Sequence, residues 1–257
     1  MRTISMSSII DTSIPNNRPR QQCRWHVYRT TSSLEYAAAQ AVFNASHQAI
    51  SQLGTFKLVL AGGTTPRRVY ELLRAKVTDW SKWHIYFGDE RCLPAEHPER
   101  NSRMAAAAWL QHIPIPINHI HIIPAELGAE AAANAYAKTL SEVDEFDLVI
   151  LGLGEDGHSA SLFPQHDWGT APDAAATLAV HDAPKPPPER VSLSARRLSQ
   201  TRQLLFLVSG ATKRQAVTDW RNGKDIPAAA ITPAGGVDVY LESDLLQAGT
   251  EGGNTNI

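Results

Sequence analysis

The sequence is poor in cysteine and has no long apolar run. Its 257 residues include only two cysteines, Cys23 and Cys92. A disulfide framework is therefore not expected, and a reducing compartment is the simpler interpretation, although the sequence leaves one disulfide open. No apolar run reaches the length that crosses a membrane, and Ser, Asp, Asn, Pro and Arg interrupt the N-terminal residues where a signal peptide needs an apolar core. We therefore expect a cytoplasmic protein.

The sequence also lacks a strong charge of either sign. Lys and Arg total 24 against 26 Asp and Glu, for a formal net charge of −2. This balance gives no electrostatic reason to expect nucleic acid or a membrane as a partner. A small anionic substrate is still compatible, because a few placed cations can hold it. With 43% hydrophobic and 19% charged residues, the composition is that of a globular protein and excludes collagen, coiled coil and general disorder.

The ends of the chain differ from its middle in composition. We expect residues 1–24 to form a disordered leader, a single domain to cover residues 25–247, and residues 248–257 to form a flexible tail. Several arginines against a single aspartate in residues 1–24 leave an organelle transit peptide as the weaker alternative, since the arginines do not fall at amphipathic spacing. The sequence leaves the oligomeric state open between monomer and dimer.

Apolar periodicity switches repeatedly between that of strands and that of helices. Helices are predicted over residues 33–53, 65–74, 101–111, 128–142 and 210–221, and strands over residues 57–61, 83–87, 119–123, 146–151, 204–208 and 237–241. Thr65 is predicted as one N-cap, with Pro66 at the first helical position, and Asn101 or Ser102 as another. This alternation predicts an α/β fold with right-handed βαβ units and a mostly parallel sheet, with helices on both faces.

In such a fold, ligands bind beyond the carboxyl ends of the strands. The unusual polar motifs fall in those places, directly after Ala61, Phe87, Leu151 and Val208. The long irregular segment over residues 163–190 contains three consecutive prolines, which make it a stiff, extended loop. Loops of this length often cover a functional site.

The first polar motif is Gly62-Gly-Thr-Thr65 between a strand and a helix. Two glycines let backbone amides approach a ligand, and the N-terminus of a helix favours an anion. Thr64 and Thr65 add hydroxyl donors. Taken alone, the motif fits a phosphate site and an ordinary βα turn about equally.

The second motif, Gly88-Asp-Glu-Arg91, places three charges directly after a buried strand. Charged side chains at the carboxyl end of a parallel strand are expected to face the shared crevice. Arg91 is a candidate to bind a carboxylate or a developing oxyanion.

The third motif, Gly152-Leu-Gly-Glu-Asp-Gly-His158, has the spacing G-x-G-x-x-G but does not fit a dinucleotide site. Glu155 and Asp156 would stand where a pyrophosphate must lie, and Pro164 interrupts the following helix. We interpret the motif as an active-site turn that presents His158 as a general base, because imidazole titrates near neutral pH. A carboxylate two positions away can orient or polarise that histidine.

Three cations, Lys185, Arg190 and Lys213, lie near other strand or helix ends. Lys213 stands at a predicted helix start, where a cation is unfavourable unless an anionic ligand binds beside it. His119 and His121 are expected to be ordinary strand residues, because no further metal ligand is marked by spacing.

Taken together, these motifs resemble the 6-phosphogluconolactonase family, in order and over residues 25–246. The matching segments are Ala61-Gly-Gly-Thr-Thr-Pro66, Gly88-Asp-Glu-Arg-Cys-Leu-Pro94 with Asn101, Leu151-Gly-Leu-Gly-Glu-Asp-Gly-His-Ser-Ala-Ser-Leu-Phe-Pro164, Lys185-Pro-Pro-Pro-Glu-Arg190 and Ser209-Gly-Ala-Thr-Lys213. The third segment is long and highly specific. In it, Ser159 stands where the family more often has Thr, and the hydroxyl is kept.

The resemblance implies a Rossmann-like fold and hydrolysis of a phosphorylated sugar lactone in the oxidative pentose phosphate pathway, with no cofactor or metal. It makes His158 the base that activates water, and we add Asp156 to the catalytic group as the carboxylate beside it. It places Asp89 and Arg91 at the sugar end of the site. The phosphate would be held by Gly63, Thr64, Thr65, Arg190 and Lys213.

Two other classes share this kind of fold. Sugar-phosphate deaminases carry a glutamate in Phe-Asn-Glu-Pro after the histidine, whereas this chain has Ser161-Leu-Phe-Pro164, with Phe163 in the glutamate's place. That change removes one acid–base group and favours the lactonase. Non-enzymatic sugar sensors normally adjoin a DNA-binding segment, for which residues 1–24 are too few and the chain too neutral.

Overall fold

Two β-sheets organise the computed structural model, which describes residues 21–246. In chain order, the strands are β1 (Cys23–Tyr28), β2 (Phe56–Leu60), β3 (Trp83–Phe87), β4 (Asp89–Arg91), β5 (Phe146–Gly152), β6 (Thr177–Val180), β7 (Arg190–Leu193), β8 (Thr201–Val208) and β9 (Val237–Glu242). Six of them form a parallel sheet in the order β1-β9-β8-β5-β2-β3, and β4-β7-β6 form a small antiparallel sheet. The predicted mostly parallel α/β fold is confirmed.

The helices within residues 21–246 connect and cover these strands. They are α1 (Thr31–Leu53), α2 (Thr64–Leu73), α3 (Asn101–Ala108), α4 (Ala129–Leu140), α5 (Ala195–Ser199) and α6 (Arg214–Arg221), with short 3₁₀ turns between some of them. Every residue of β5 before Gly152 is buried. Since successive side chains of a strand point to opposite faces, β5 is covered on both faces of the sheet.

Several element ends differ from prediction for local reasons. Helix α1 begins at Thr31 because Thr30 and Ser33 form a capping box. Gly63, and not Thr65, is the N-cap of α2, and Arg100 precedes α3 in place of Asn101 or Ser102. The helix predicted from residue 210 begins as a 3₁₀ turn, Ala211–Lys213, before α6.

The strand predicted over residues 119–123 was wrong. Ile117–His119 form a 3₁₀ turn, and the segment touches β3 only through a single bridge between Ile85 and Ile120. The alternation of histidine and isoleucine there reflects packing against the edge strand β3, where the rings of His84 and His119 stack with centroids 4.1 Å apart.

Four strands were not predicted from the sequence: β1, β4, β6 and β7. Strand β1 starts at Cys23, so regular structure begins before residue 25, and β6 lies inside the segment predicted to be irregular. The expectations for a leader and a tail otherwise concern residues 1–20 and 248–257, which lie outside the described part of the chain. Over residues 21–246, no helix has both the length and the apolar character needed to cross a membrane.

Candidate active site

A cavity of about 420 Å³ opens beyond the carboxyl ends of β2, β3 and β5. Its walls are formed by the turns that follow these strands, by the small antiparallel sheet and by the loop before β7. The charged and titratable lining residues are Asp89, Arg91, His158, Lys185, Arg190 and Lys213. The position agrees with the general rule for open parallel sheets.

His158 lies on the turn after β5 and is paired with Asp156. The Asp156 Oδ1 atom lies 2.5 Å from His158 Nδ1 and also accepts a hydrogen bond of 3.1 Å from the His158 backbone N–H. Burial raises the pKa of the Asp156 carboxyl, but the His158 ring and these hydrogen bonds outweigh burial and hold that pKa below its usual value. An ionised carboxylate has no proton to donate, so in the neutral form of the ring we assign the hydrogen to Nδ1 and the lone pair to Nε2.

The glycines of this turn make room for the imidazole. A Cβ atom on Gly154 would lie 2.0 Å from His158 Nδ1, so any side chain there would displace the ring. Gly154 N–H donates to the His158 carbonyl at 2.7 Å, and Gly157 adopts a φ of 85°. The glycines are therefore needed for the tight turn and for the close approach of the histidine to the backbone.

Asp89 lies on β4 and is held by two side chains. Its Oδ1 accepts from Asn101 Nδ2 at 3.0 Å, and its Oδ2 accepts from the Ser161 hydroxyl at 2.6 Å. The Asn101 side chain packs on Gly62, where a Cβ would approach its Oδ1 to 2.0 Å. The carboxylate is therefore fixed at the cavity wall by α3 and by the segment that follows His158.

Glu90 points away from the cavity, in contrast to its neighbours. Side chains alternate along a strand, so Asp89 and Arg91 share one side of β4 and Glu90 takes the other. Its fully buried carboxylate accepts from the backbone N–H groups of Asn101 at 2.7 Å and Ser102 at 2.9 Å, and pairs with Arg100 at 3.5 Å. Glu90 therefore caps α3 from outside the helix.

Four cationic side chains line the cavity, and they differ in how tightly they are held. Arg91 donates from Nη1 to the Glu99 carbonyl at 3.0 Å. Arg190 is 7% exposed, and burial lowers its pKa, an effect that nearby Asp89 partly offsets. Lys185 and Lys213 complete the set. The cavity can therefore attract and orient an anionic ligand.

The N-terminus of α2 borders the same cavity. Gly63 has a φ of 110°, lines the cavity, and leaves the helix without a side-chain cap. Thr64 is the first residue of the helix, and the Thr65 hydroxyl lies 2.6 Å from that of Ser209. An uncapped helix start with a glycine turn is suited to an anion.

The model of the family described as glucosamine-6-phosphate isomerases/6-phosphogluconolactonase matches residues 29–240. The chain belongs to this family. A 6-phosphogluconolactonase of Synechocystis sp. is 35% identical over 201 residues, covering 73% of this chain and 82% of that protein. One of Mycobacterium tuberculosis is 34% identical over 220 residues, covering 79% and 89%. The crystal structure of a 6-phosphogluconolactonase from Thermotoga maritima has a TM-score of 0.79 at 26% identity, covering 86% of this chain and 100% of that one.

For this member of the glucosamine-6-phosphate isomerase/6-phosphogluconolactonase family, the structure brings most of the predicted site residues together. Gly63, Asp89, Arg91, His158, Arg190 and Lys213 line one cavity. Asp156 does not line the cavity itself but contacts His158, which does. Thr64 and Thr65 lie at the start of α2, next to Gly63, and are not among the lining residues.

Some side chains that shape the site of this family member were not predicted to do so. Asn101 was noted only as a helix cap and a motif residue, and Ser161 only as part of a motif, yet both hold Asp89. Phe163 contacts His158 and Arg190, with ring centroids 4.8 Å apart and a guanidinium-to-centroid distance of 5.5 Å. Only their place in the motifs could have indicated them, because the contacts with Asp89 and Arg190 join residues far apart in sequence.

Among residues 21–246, no group of three or more His, Cys, Asp or Glu side chains is arranged to hold a metal ion. The ring nitrogens His84 Nδ1 and His121 Nε2 lie 3.4 Å apart, and the two rings lie nearly parallel.

Proposed function

We propose that this protein hydrolyses 6-phospho-D-glucono-1,5-lactone to 6-phospho-D-gluconate in the oxidative pentose phosphate pathway, in the cytoplasm and without a cofactor. The observation that carries the proposal is the His158–Asp156 pair, 2.5 Å apart, at a cavity lined by four cations. An oriented imidazole supplies a base near neutral pH, and the cations suit a phosphorylated substrate. The relatives from Synechocystis sp. and Mycobacterium tuberculosis, which this chain covers over most of their length, are named 6-phosphogluconolactonase.

His158 acts as the general base for the attacking water. Asp156 accepts the Nδ1 hydrogen, so Nε2 is free to take a proton from water as it attacks the lactone carbonyl. Asp156 also stabilises the imidazolium that forms, because a neighbouring carboxylate favours the charged ring. This division of work is the one that histidine and aspartate perform in hydrolytic triads.

The carbonyl oxygen gains negative charge as water adds. Arg91 is our candidate to stabilise this oxyanion, because its side chain lines the cavity and is anchored to the Glu99 carbonyl. Backbone amides of the turn that carries His158 are the alternative donors. When the intermediate collapses, the bond between the carbonyl carbon and the ring oxygen breaks. The ring oxygen takes a proton and becomes a hydroxyl, and protonated His158 is the candidate donor of this proton.

The phosphate binds away from the reacting carbonyl. We assign it to the N-terminus of α2 with Gly63, Thr64 and Thr65, and to Arg190 and Lys213. The uncapped helix start and the positively charged wall support this assignment. Contacts at the phosphate fix the lactone's orientation and so lower the entropy cost of the reaction.

Asp89 is assigned to the sugar hydroxyls. Its carboxylate already accepts hydrogen bonds from Asn101 and Ser161, and each oxygen keeps a further lone pair for a hydroxyl donor. A fixed acceptor at this point selects a polyhydroxylated ring.

A direct assay tests the proposal. Purified protein is added to freshly prepared 6-phosphogluconolactone, and acid release is followed by pH-stat against a buffer blank, with and without a chelator. We expect catalysed hydrolysis that the chelator leaves unchanged. A rate equal to the blank would contradict the activity. If the chelator abolished hydrolysis and one divalent ion restored it, the metal-free mechanism would be contradicted.

A further inference from the structure

The loop before β7 presents a lysine to the cavity that the assignment above does not use. Lys185 lines the cavity together with Pro186. We propose that Lys185 binds the phosphate group of the substrate, and that Glu155 competes with the phosphate for it. This inference rests on the proposed function and adds one binding residue and one opposing residue to the same site.

The backbone of Lys185 is fixed at the rim by a buried arginine. Arg190 Nη2 donates to the carbonyls of Lys185 at 2.8 Å and Pro186 at 3.4 Å, and its Nε donates to that of Pro187 at 3.2 Å. The loop is also closed by the Ala183 N–H, which donates to the Pro188 carbonyl at 3.0 Å. Three hydrogen bonds from Arg190 therefore hold the backbone of this loop in place.

The side chain of Lys185 is only weakly held. Its Nζ lies 3.8 Å from Glu155 Oε2, and the two side chains are 62% and 51% exposed. Ion pairs this exposed contribute little to stability, so the ammonium exchanges partners at small cost. A lysine side chain is also long and flexible, whereas Arg190 uses its Nε and Nη2 donors on three carbonyls and keeps Nη1 for the phosphate.

Glu155 and the substrate phosphate are both anionic, and both would bind the ammonium of Lys185. Glu155 lies next to Asp156 on the turn after β5, and its carboxylate lies 3.8 Å from the ammonium of Lys185, a residue that lines the cavity. A phosphate that binds Lys185 must displace this carboxylate and meets its like charge. Glu155 therefore weakens substrate and product binding, and it recovers Lys185 when the product leaves.

The test compares Lys185→Met, Glu155→Gln and the double variant with wild type. Lys185→Met is expected to raise the KM for the phosphorylated lactone about tenfold, since it removes one charge-assisted hydrogen bond. Glu155→Gln is expected to lower this KM about two- to fivefold, the worth of an exposed ion pair. In the Lys185→Met background, Glu155→Gln should have no further effect. Lys224→Met is the matched control, because Lys224 is a similarly exposed lysine that pairs with Asp219.

Two measurements separate this inference from the proposed function. Calorimetry with 6-phosphogluconate gives product affinity without turnover, and hydrolysis of unphosphorylated glucono-1,5-lactone shows whether the effects need a phosphate. We expect product affinity to follow the KM changes and the unphosphorylated lactone to be insensitive to all three variants. If the wild-type protein neither bound 6-phosphogluconate nor hydrolysed the phosphorylated lactone, the proposed function itself would be refuted. Active wild type with an unchanged KM in Lys185→Met, or equal losses on both lactones, would overturn only the role of Lys185.

Discussion

At the scale of single residues, Gly154 gives the sharpest steric test of the site. A Cβ at this position would lie 2.0 Å from His158 Nδ1. We therefore expect Gly154→Ala to displace the imidazole from Asp156 and to lower kcat by roughly 10²-fold or more, the value of a positioned base. Steady-state kinetics on the phosphorylated lactone would measure this loss.

Gly152 is the matched control for this substitution. It is the last residue of β5, directly before that turn, and a Cβ there meets no atom within 4 Å. Gly152→Ala should therefore cost far less activity than Gly154→Ala, with similar melting temperatures for the two variants. Equal losses of kcat in both would show that the position of the His158 ring does not limit the reaction.

The sequence identified residues that follow strands more readily than residues that support them. Asp89, Arg91 and His158 were predicted because a parallel sheet gathers the carboxyl ends of its strands. The support of Asp89 by Ser161 joins residues 72 positions apart. No local pattern encodes such a contact. Glu90 was grouped with its charged neighbours, and only the pairing of β4 with β7 turns its side chain away from the cavity.

At the scale of elements, Glu90 connects β4 to the start of α3. Its buried carboxylate is paired with buried Arg100 and accepts from two amides of α3. We expect Glu90→Gln to lower the free energy of unfolding by about 3 kcal/mol, the low end for breaking a buried ion pair, because Glu126 still pairs with Arg100 at 2.7 Å. Urea denaturation would measure the change.

Glu96→Gln serves as the control for this loss. Glu96 pairs with Arg103 at 3.0 Å but is 80% exposed, so its substitution should cost less than about 1 kcal/mol. Because α3 also carries Asn101, which holds Asp89, Glu90→Gln should reduce kcat/KM as well. A Glu90 variant as stable as the Glu96 variant would refute the capping role.

A histidine cluster at the edge strand β3 makes stability depend on pH. Burial, with the neighbouring imidazoles of His119 and His121 and the charge of Lys57, lowers the pKa of His84 from 6.5 to about 4. Burial and His119 also lower the pKa of His121. Since these pKa values are lower in the folded state, the unfolded state binds more protons between pH 6.5 and 4. The stability that this cluster contributes is present above pH 6.5 and is lost as the pH falls through that window.

Melting temperatures measured across this window test the cluster. In the His84→Gln variant, the melting temperature should fall less steeply between about pH 6.5 and pH 4.5 than in wild type. The reason is that the variant lacks one histidine whose pKa is lowered by folding. His47→Gln, which changes an exposed histidine on α1, should leave the slope as in wild type. An unchanged slope in His84→Gln would show that other groups govern the acid sensitivity.

The elements that the sequence missed are short or depend on distant partners. The buried strands β2, β3 and β5 were predicted because each is a strongly apolar run. Strands β4, β6 and β7 have three or four residues each, and their sheet forms only because β7 pairs with β4, which lies far before it in sequence. The segment after residue 117 alternates like a strand, yet it makes only one bridge with the edge of the sheet. Tertiary packing decided these cases over local pattern.

At the scale of the whole molecule, the two sheets divide the work of the site. The parallel sheet supplies the turns with Gly63 and His158, whereas the antiparallel sheet supplies Asp89, Arg91 and Arg190, with Arg91 opposite Arg190 in the register. Lys213, from the segment after β8, completes the positive wall. His158, the proposed base, lies on a turn, while the core is formed by the strands behind it, so we expect the chemistry and the stability of the fold to be separable.

The kcat of His158→Ala tests the central claim most directly. We expect a loss of about 10²- to 10⁴-fold on the phosphorylated lactone, the usual contribution of a positioned general base. Circular dichroism and the melting temperature should stay close to wild type, and product affinity should change less than kcat because the phosphate contacts lie elsewhere. A folded His158→Ala protein with a kcat near the wild-type value would contradict the account, and the base would then have to be sought at Asp89 or Asp156.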